Sequence, residues 1–265
     1  MRRKREMFNL IKRLIKSLGD VSNNREELRS HIFRTYFWMR TGMAIIAFAF
    51  PFVLVLVGGV GYDLAWQNSM SDYYWAPLKG EQSGDAPMRV FFVGFLFALG
   101  TCLLLYKGYS RLENQLLNVA AVCAICVALA PMCKPDSVCQ GFPWHAFFAF
   151  GFFGLLTLVA LLHGAYAWGY LRSGSDRRSA IYGNLYMGTA AVMFFAPIGT
   201  LILFLTDPRR IFWAEVVGIS AFCLFWAVQI WQISRSGFDK ELAQSKQEDA
   251  HGLDDEGRAV QSQPR

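Results

Sequence analysis

Charged residues are scarce in this chain: Asp, Glu, Lys and Arg make up 17% of its 265 residues, against about a quarter in an ordinary soluble domain. Histidine is rarer still, with four in all. No H-x-x-x-H or H-E-x-x-H pair occurs, so the spacing by which one helix holds a catalytic zinc is missing, and no metal or cofactor is expected. There is no P-loop, no G-x-S-x-G and no selectivity-filter motif. With 54% hydrophobic residues, the chain is neither a disordered polypeptide, nor a disulfide-stapled secreted module, nor a nucleic-acid-binding domain with a solvated surface.

What the chain does have is long apolar runs. A bilayer core needs roughly 20 apolar residues of helix, with about 17 as the lower limit. Six segments meet that length: Met43 to Gly61, Val90 to Tyr106, Leu116 to Cys133 (interrupted by Asn118), Ala146 to Leu162 with a continuation to Trp168, Leu185 to Leu205, and Ile211 to Ile233 with Glu215 and Gln229 inside it. The runs are continuous rather than alternating, which excludes a β-barrel and leaves helices as the way to satisfy the backbone in lipid. The expected fold is therefore all-α: a polytopic bundle of six transmembrane helices over residues 41–233, preceded by a basic segment (1–40) and followed by a polar tail (234–265).

Lys and Arg in the flanks set the orientation. Eleven fall in residues 1–40, and with Lys107, Arg111, Arg172, Arg177, Arg178 and five in the tail they place 21 on one side. Lys79, Arg89, Lys134, Arg209 and Arg210 make five on the other. With six spans both termini share a side, and the bias places them in the cytoplasm of a cell with an inner membrane. The net charge of +6 is thus a topology signal. Membrane lipids are the expected partners and nucleic acid is not; an oligomer of this chain is compatible with the sequence.

Residues 3–18 place Met7, Phe8, Leu10, Ile11, Leu14, Ile15 and Leu18 on one helical face and Arg5, Asn9, Lys12, Arg13 and Lys16 on the other. This is the pattern of a basic helix lying among headgroups, or of one packed on another subunit. Asn23 with Glu26, or Asn24 with Glu27, offers a capping-box start for a helix that runs through Tyr36-Phe37-Trp38 into the first span. The tail has no apolar stripe and reads as disordered. No internal repeat supports an inverted-repeat transporter.

Ionisable groups inside membrane segments are costly, so each is a functional candidate. His145 opens the fourth span, Glu215 lies about one turn inside the sixth, and Arg89 opens the second. The long first outer loop carries Ser69, Ser71, Asp72, Tyr73 and Tyr74 to the same level. Ser71, Asp72, Tyr73, Tyr74, Arg89, His145 and Glu215 are therefore the candidate ligand-binding set. The alternative is that Glu215 pairs with Arg89 or Arg210 and the group only fastens helices. On the inner side, His163 lies roughly 27 Å deeper than His145, near the level of Gln229, and the two can share a hydrogen bond.

Cys123-x-x-Cys126 sits within the third span, and an extracytoplasmic compartment permits a Cys133–Cys139 disulfide. Quinone-linked thiol oxidoreductases combine such elements, but Cys126 lies roughly 10 Å below Cys133 with no electropositive neighbour. Gly94, Gly100, Gly151, Gly154 and Gly188 are expected at close helix contacts, and Pro51 and Pro197 at kinks.

Ser69-x-Ser71-x-Tyr73-Tyr74 followed by Pro87-x-Arg89-x-x-Phe92-x-Gly94 resembles bacterial six-span membrane proteins without an assigned activity. The likeness continues through Tyr106-x-x-Tyr109 with Glu113 and Asn118, His145-x-x-Phe148-Ala149 and Phe212-Trp213-x-Glu215. It covers about residues 45–235, and the stretch from Trp75 to Ala86 departs from it by its length. Such proteins are distantly similar to the Frag1/DRAM/Sfk1 group, whose six-span members are linked to lipid handling. The resemblance implies a lipid or small amphiphile as ligand and adds no activity. A metal-dependent membrane amidase would need a paired-histidine motif that this chain lacks.

Three readings follow: a polar pocket at the extracytoplasmic leaflet that binds a lipid or small amphiphile, a lipid hydrolase at that pocket, or a structural or effector bundle without a ligand. The topology common to all three is testable. Reporter fusions after Arg178 and after Arg265 will report the cytoplasm, and one near Gly84 the outside. A cytoplasmic report from Gly84 would overturn both the orientation and the pocket's placement.

Overall fold

The structure is a computed structural model that describes residues 12, 25–78, 86–130, 132–133, 141–172 and 178–235. Every regular element among the described residues is helical. Six long helices, α1 (Arg25–Leu56), α2 (Met88–Leu105), α3 (Arg111–Leu129), α4 (Trp144–Arg172), α5 (Arg178–Thr206) and α6 (Ile211–Arg235), carry the six apolar runs. Each holds a stretch long and apolar enough to cross a membrane, the longest from His31 to Gly61. The chain is a multi-pass membrane protein. The amphipathic segment 3–18, apart from Lys12, and the tail beyond residue 235 lie outside the described residues.

Helix limits differ from the apolar runs for local reasons. The first helix starts at Arg25, well before Met43, because nothing in the polar stretch up to Arg40 breaks it. The third ends at Leu129 rather than Cys133, just ahead of Pro131, and the residue before a proline disfavours α geometry. Pro51 and Pro197 sit inside continuous α1 and α5, and α1 ends in a π-turn over Val57–Gly61.

Each helix packs on its neighbours in sequence, and α6 returns to α1 to close the bundle, with α5 sealing the groove between α4 and α6. Large apolar side chains such as Phe48, Phe52, Phe195, Phe204 and Leu205 face outward, while Arg40, Glu113, His163 and Gln229 are buried. That distribution suits lipid as the solvent. Lipid supplies no hydrophobic drive between helices, so close packing and internal hydrogen bonds must hold them. Gly100 is one such contact: a Cβ there would lie 2.7 Å from Ile125 and 3.1 Å from the Ala121 carbonyl of α3. Gly151 similarly faces the Cys123 thiol. Gly94, Gly154 and Gly188 meet nothing within 4 Å, which corrects the expectation for these three: Gly94 and Gly188 are exposed, on the outer surface of their helices.

The connection between α1 and α2 is folded onto the end of the bundle opposite the basic one. Leu64 N–H donates to the Gly58 carbonyl, and Phe212 N–H donates to the Asn68 carbonyl at 2.7 Å, which splices the loop to the start of α6. A short 3-10 turn, Ser71–Tyr74, follows. Tyr73 is buried and its ring passes over Gly58, where a Cβ would come within 3.2 Å of it. Trp75 Nε1 donates to the Met132 carbonyl at 2.6 Å, tying the loop to the segment between α3 and α4.

Candidate functional site

Ser71, His145 and Glu215 converge beneath this loop. His145 sits in the first turn of α4 and its two ring nitrogens are both engaged. Nδ1 lies 2.8 Å from the Ala130 carbonyl, just past the end of α3. Carbonyls at a helix C-terminus have no intrahelical donor, so this one takes the imidazole N–H. A carbonyl oxygen can only accept, so Nδ1 carries the proton and, in the neutral ring, Nε2 is bare. Nε2 lies 3.0 Å from Ser71 Oγ, and the serine hydroxyl donates to it.

Glu215 lies in the second turn of α6 and turns inward. Its Oε2 accepts the Met70 N–H at 2.6 Å, the free donor at the head of the 3-10 turn, and its carboxyl group also faces the Ser71 side chain. A protonated Glu215 can donate to Ser71 Oγ while Ser71 donates to His145, which matches every donor with an acceptor from Glu215 to Ala130. Moving one proton along the same chain would give a carboxylate and an imidazolium with the same pairing, but two charges beside an apolar cavity are costly to desolvate, so the neutral form is favoured.

These three groups cap one end of a cavity of about 90 Å³ in the bundle interior. Its walls are otherwise apolar, from Ala47 and Phe50 of α1, Phe92, Leu96 and Leu99 of α2, Ala124 and Val127 of α3, Phe152 of α4, and Ile219 and Phe222 of α6. Phe92 stacks on the His145 ring, with centroids 6.3 Å apart. The space accommodates a few water molecules or a short hydrocarbon group.

The other candidates lie outside this cavity wall. Arg89 points to the loop: its Nε is 3.4 Å from the Tyr74 carbonyl, and its guanidinium lies 4.7 Å and 5.0 Å from the ring centroids of Tyr74 and Trp75. Exposed Arg210 pairs with half-buried Asp207 at 2.9 Å. Neither arginine pairs with Glu215, which corrects the ion pair expected in the fastening alternative: each is engaged within its own loop or turn. Asp72 serves the loop itself: its carboxylate accepts the Ser69 N–H at 3.1 Å, and its own N–H donates to Ser69 Oγ at 3.0 Å. Tyr73 is packed among Gly58, Leu64 and Phe212. Burial raises both the Asp72 carboxyl and the Tyr73 phenol above their ordinary pKa ranges.

Cys133 is disulfide-bonded; Cys139, the other half of the expected pair, lies outside the described residues. Cys123 and Cys126 are free thiols. No group of three His, Cys, Asp or Glu side chains among the described residues is placed to hold a metal ion.

A second polar cluster, at the basic end, is larger than the sequence reading. His163 Nε2 does approach Gln229, at 3.4 Å, but its nearer partner is the buried carboxylate of Glu113 at 3.0 Å. Glu113 also accepts the Tyr109 N–H at 2.9 Å, while the Ser110 hydroxyl caps the Glu113 N–H. The Ser110-x-x-Glu113 spacing of a capping box was the sequence signal for it.

No protein-family model matches the chain, and neither does any curated protein or any solved structure.

The Asp72 turn yields a pH prediction. A carboxyl whose pKa is raised on folding adds stability that is complete below the unfolded Asp value and lost as pH rises through the folded one. Asn keeps an acceptor for the Ser69 N–H without a charge. Asp72→Asn should therefore melt at or above the wild-type temperature at about pH 8 and match it near about pH 4. Asp72→Ala, which strands the Ser69 N–H, should cost about 1–2 kcal/mol at both. Equal losses in Asp72→Asn and Asp72→Ala at the higher pH would contradict this account.

Proposed function

We propose that this protein binds a small amphiphile from the extracytoplasmic leaflet of a bacterial inner membrane, with its polar group on Ser71, His145 and Glu215 and its apolar part in the adjoining cavity. The observation that carries the reading is the meeting of a complete polar chain with an otherwise apolar cavity at one membrane edge. The volume selects the ligand. At about 90 Å³ the cavity is smaller than the about 150 Å³ apolar cavity that admits benzene, so a short-chain amphiphile fits and a full-length acyl chain does not. The 21-to-5 basic asymmetry supports cytoplasmic termini, and the disulfide at Cys133 suits an oxidising compartment at the loop end. The likeness to the Frag1/DRAM/Sfk1 group supports lipid chemistry in general.

A second reading is favoured by the 3.0 Å contact between Ser71 and a His145 whose tautomer leaves Nε2 as the base. This is the relation of a nucleophile to its general base. In a hydrolase, Ser71 Oγ would add to the carbonyl carbon of a short ester as its proton passes to His145 Nε2. The ester C–O bond would break as His145 returns that proton to the leaving alcohol, and water would then release the acid from Ser71.

Thermal melts of the purified protein with 1-propanol separate these outcomes. Propanol should stabilise the wild type. Ala124→Leu, which fills the cavity, should abolish that shift while the unliganded protein stays at least as stable. Glu215→Gln should weaken it. An equal propanol shift in wild type and Ala124→Leu would overturn the binding proposal. Ser71-dependent turnover of p-nitrophenyl butyrate would support the hydrolase reading; turnover unchanged in Ser71→Ala, or none, would remove it.

A further inference from the structure

Arg40 is only 2% exposed, yet no carboxylate pairs with it among the described residues. Its Nε donates to Tyr106 Oη at 3.0 Å, and its Nη2 donates to Tyr106 Oη and, at 2.8 Å, to Tyr109 Oη. The guanidinium lies 5.2 Å and 5.3 Å from the centroids of the two rings. The nearby carboxylate, Glu113, is committed to His163 and to the Tyr109 N–H. A buried cation is thus surrounded by neutral hydroxyls, and burying an unpaired charge is expensive.

The donor inventory is lopsided. Both phenols accept from Arg40, so each still has an O–H to give, and no acceptor takes either among the described residues. Trp226, whose ring packs edge-on against Tyr106 with centroids 5.1 Å apart, is fully buried with no partner for its Nε1–H. Against these three donors stand two unmatched buried acceptors in the same half of the bundle, Gln229 Oε1 and Asn118 Oδ1. The first turn of α3 starts at the same place, with Ser110 as its N-cap, so its leading N–H groups and helix dipole add positive potential. Such a surplus recognises a group that only accepts.

The cluster is open at Tyr109, which is 66% exposed. Lys107 and Arg111 are exposed on the same turn between α2 and α3. Leu104, Leu105 and Leu112 are exposed beside them, in the position where acyl chains lie. We infer that the α2–α3 turn binds the phosphate of an anionic phospholipid from the leaflet at the basic end, received by Tyr109 over Arg40 and flanked by Lys107 and Arg111. The buried Glu113 carboxylate is engaged on both oxygens, by His163 and by the Tyr109 N–H. This site is at the opposite end of the bundle from the amphiphile cavity and independent of it.

Full-length protein, delipidated in detergent, tests this with three probes: phosphatidylglycerol, phosphatidylcholine and inorganic phosphate. Phosphatidylglycerol should raise the melting temperature and remain as an adduct in native mass spectra, and phosphatidylcholine should do neither. Tyr109→Phe keeps the ring and removes the O–H; it should weaken phosphatidylglycerol binding about tenfold, and because it also takes an acceptor from Arg40 it should lower the melting temperature of the lipid-free protein. The double variant Lys107→Ala with Arg111→Ala, both exposed, should weaken binding at low salt while leaving the lipid-free melting temperature unchanged. Equal binding of the two lipids, or unchanged affinity in both variants, would overturn the site. Inorganic phosphate binding as tightly as phosphatidylglycerol would overturn the lipid as its source.

Discussion

His145 has two ring nitrogens, and each is committed to a different element. Nδ1 closes the open carbonyl of Ala130 just past the end of α3, and Nε2 receives the hydroxyl of Ser71 in the loop that follows α1. One side chain at the start of α4 therefore fixes the end of one helix and the path of the outer loop. The loop in turn presents the Met70 N–H to Glu215 of α6. If the imidazole were turned or removed, the Ala130 carbonyl would lose its donor and the Ser71 hydroxyl would lose its acceptor, leaving it Glu215 alone. Each unmade buried hydrogen bond costs about 1–3 kcal/mol.

The two ends of the bundle answer the same problem differently. Lipid offers no water to absorb unmatched polar atoms and no hydrophobic drive to press helices together. At the loop end the polar atoms form a closed chain with its donors and acceptors in balance, and the leftover space beside them is apolar. At the basic end the cluster of Arg40, Tyr106 and Tyr109 is donor-rich and opens through Tyr109. A balanced chain next to a void suits a ligand that brings its own apolar surface, whereas a donor surplus at a surface suits an anion.

The six spans were legible because long apolar runs are a property of the sequence alone. Ser71, His145 and Glu215 could be named for the same reason, since polar residues at membrane edges stand out against apolar neighbours. Their partners could not. Glu215 is met by a backbone N–H, which every residue but proline possesses, so no residue type announces it. Arg89 looked like the natural counter-ion, yet its closest company is the pair of aromatic rings of Tyr74 and Trp75, which only the path of the loop brings there. Arg40 counted as one of many flanking charges. Its burial follows from α1 running unbroken from Arg25 and from phenols 66 and 69 residues further along the chain. Glycines divided in the same way: Gly100 and Gly151 lie at helix contacts and Gly94 does not, because the sequence gives the small residue but not the face it occupies.

The protonation of His145 tests the central constraint most directly. In protein labelled with 15N-histidine, the His145 resonances can be assigned by their loss in His145→Gln. The account predicts a neutral ring with the proton on Nδ1 and an unprotonated Nε2 whose shift is that of a hydrogen-bond acceptor. In Ser71→Ala the Nε2 shift should move towards that of a free imidazole nitrogen while Nδ1 stays protonated. A neutral ring protonated on Nε2, or an Nε2 shift indifferent to the loss of the Ser71 hydroxyl, would contradict it.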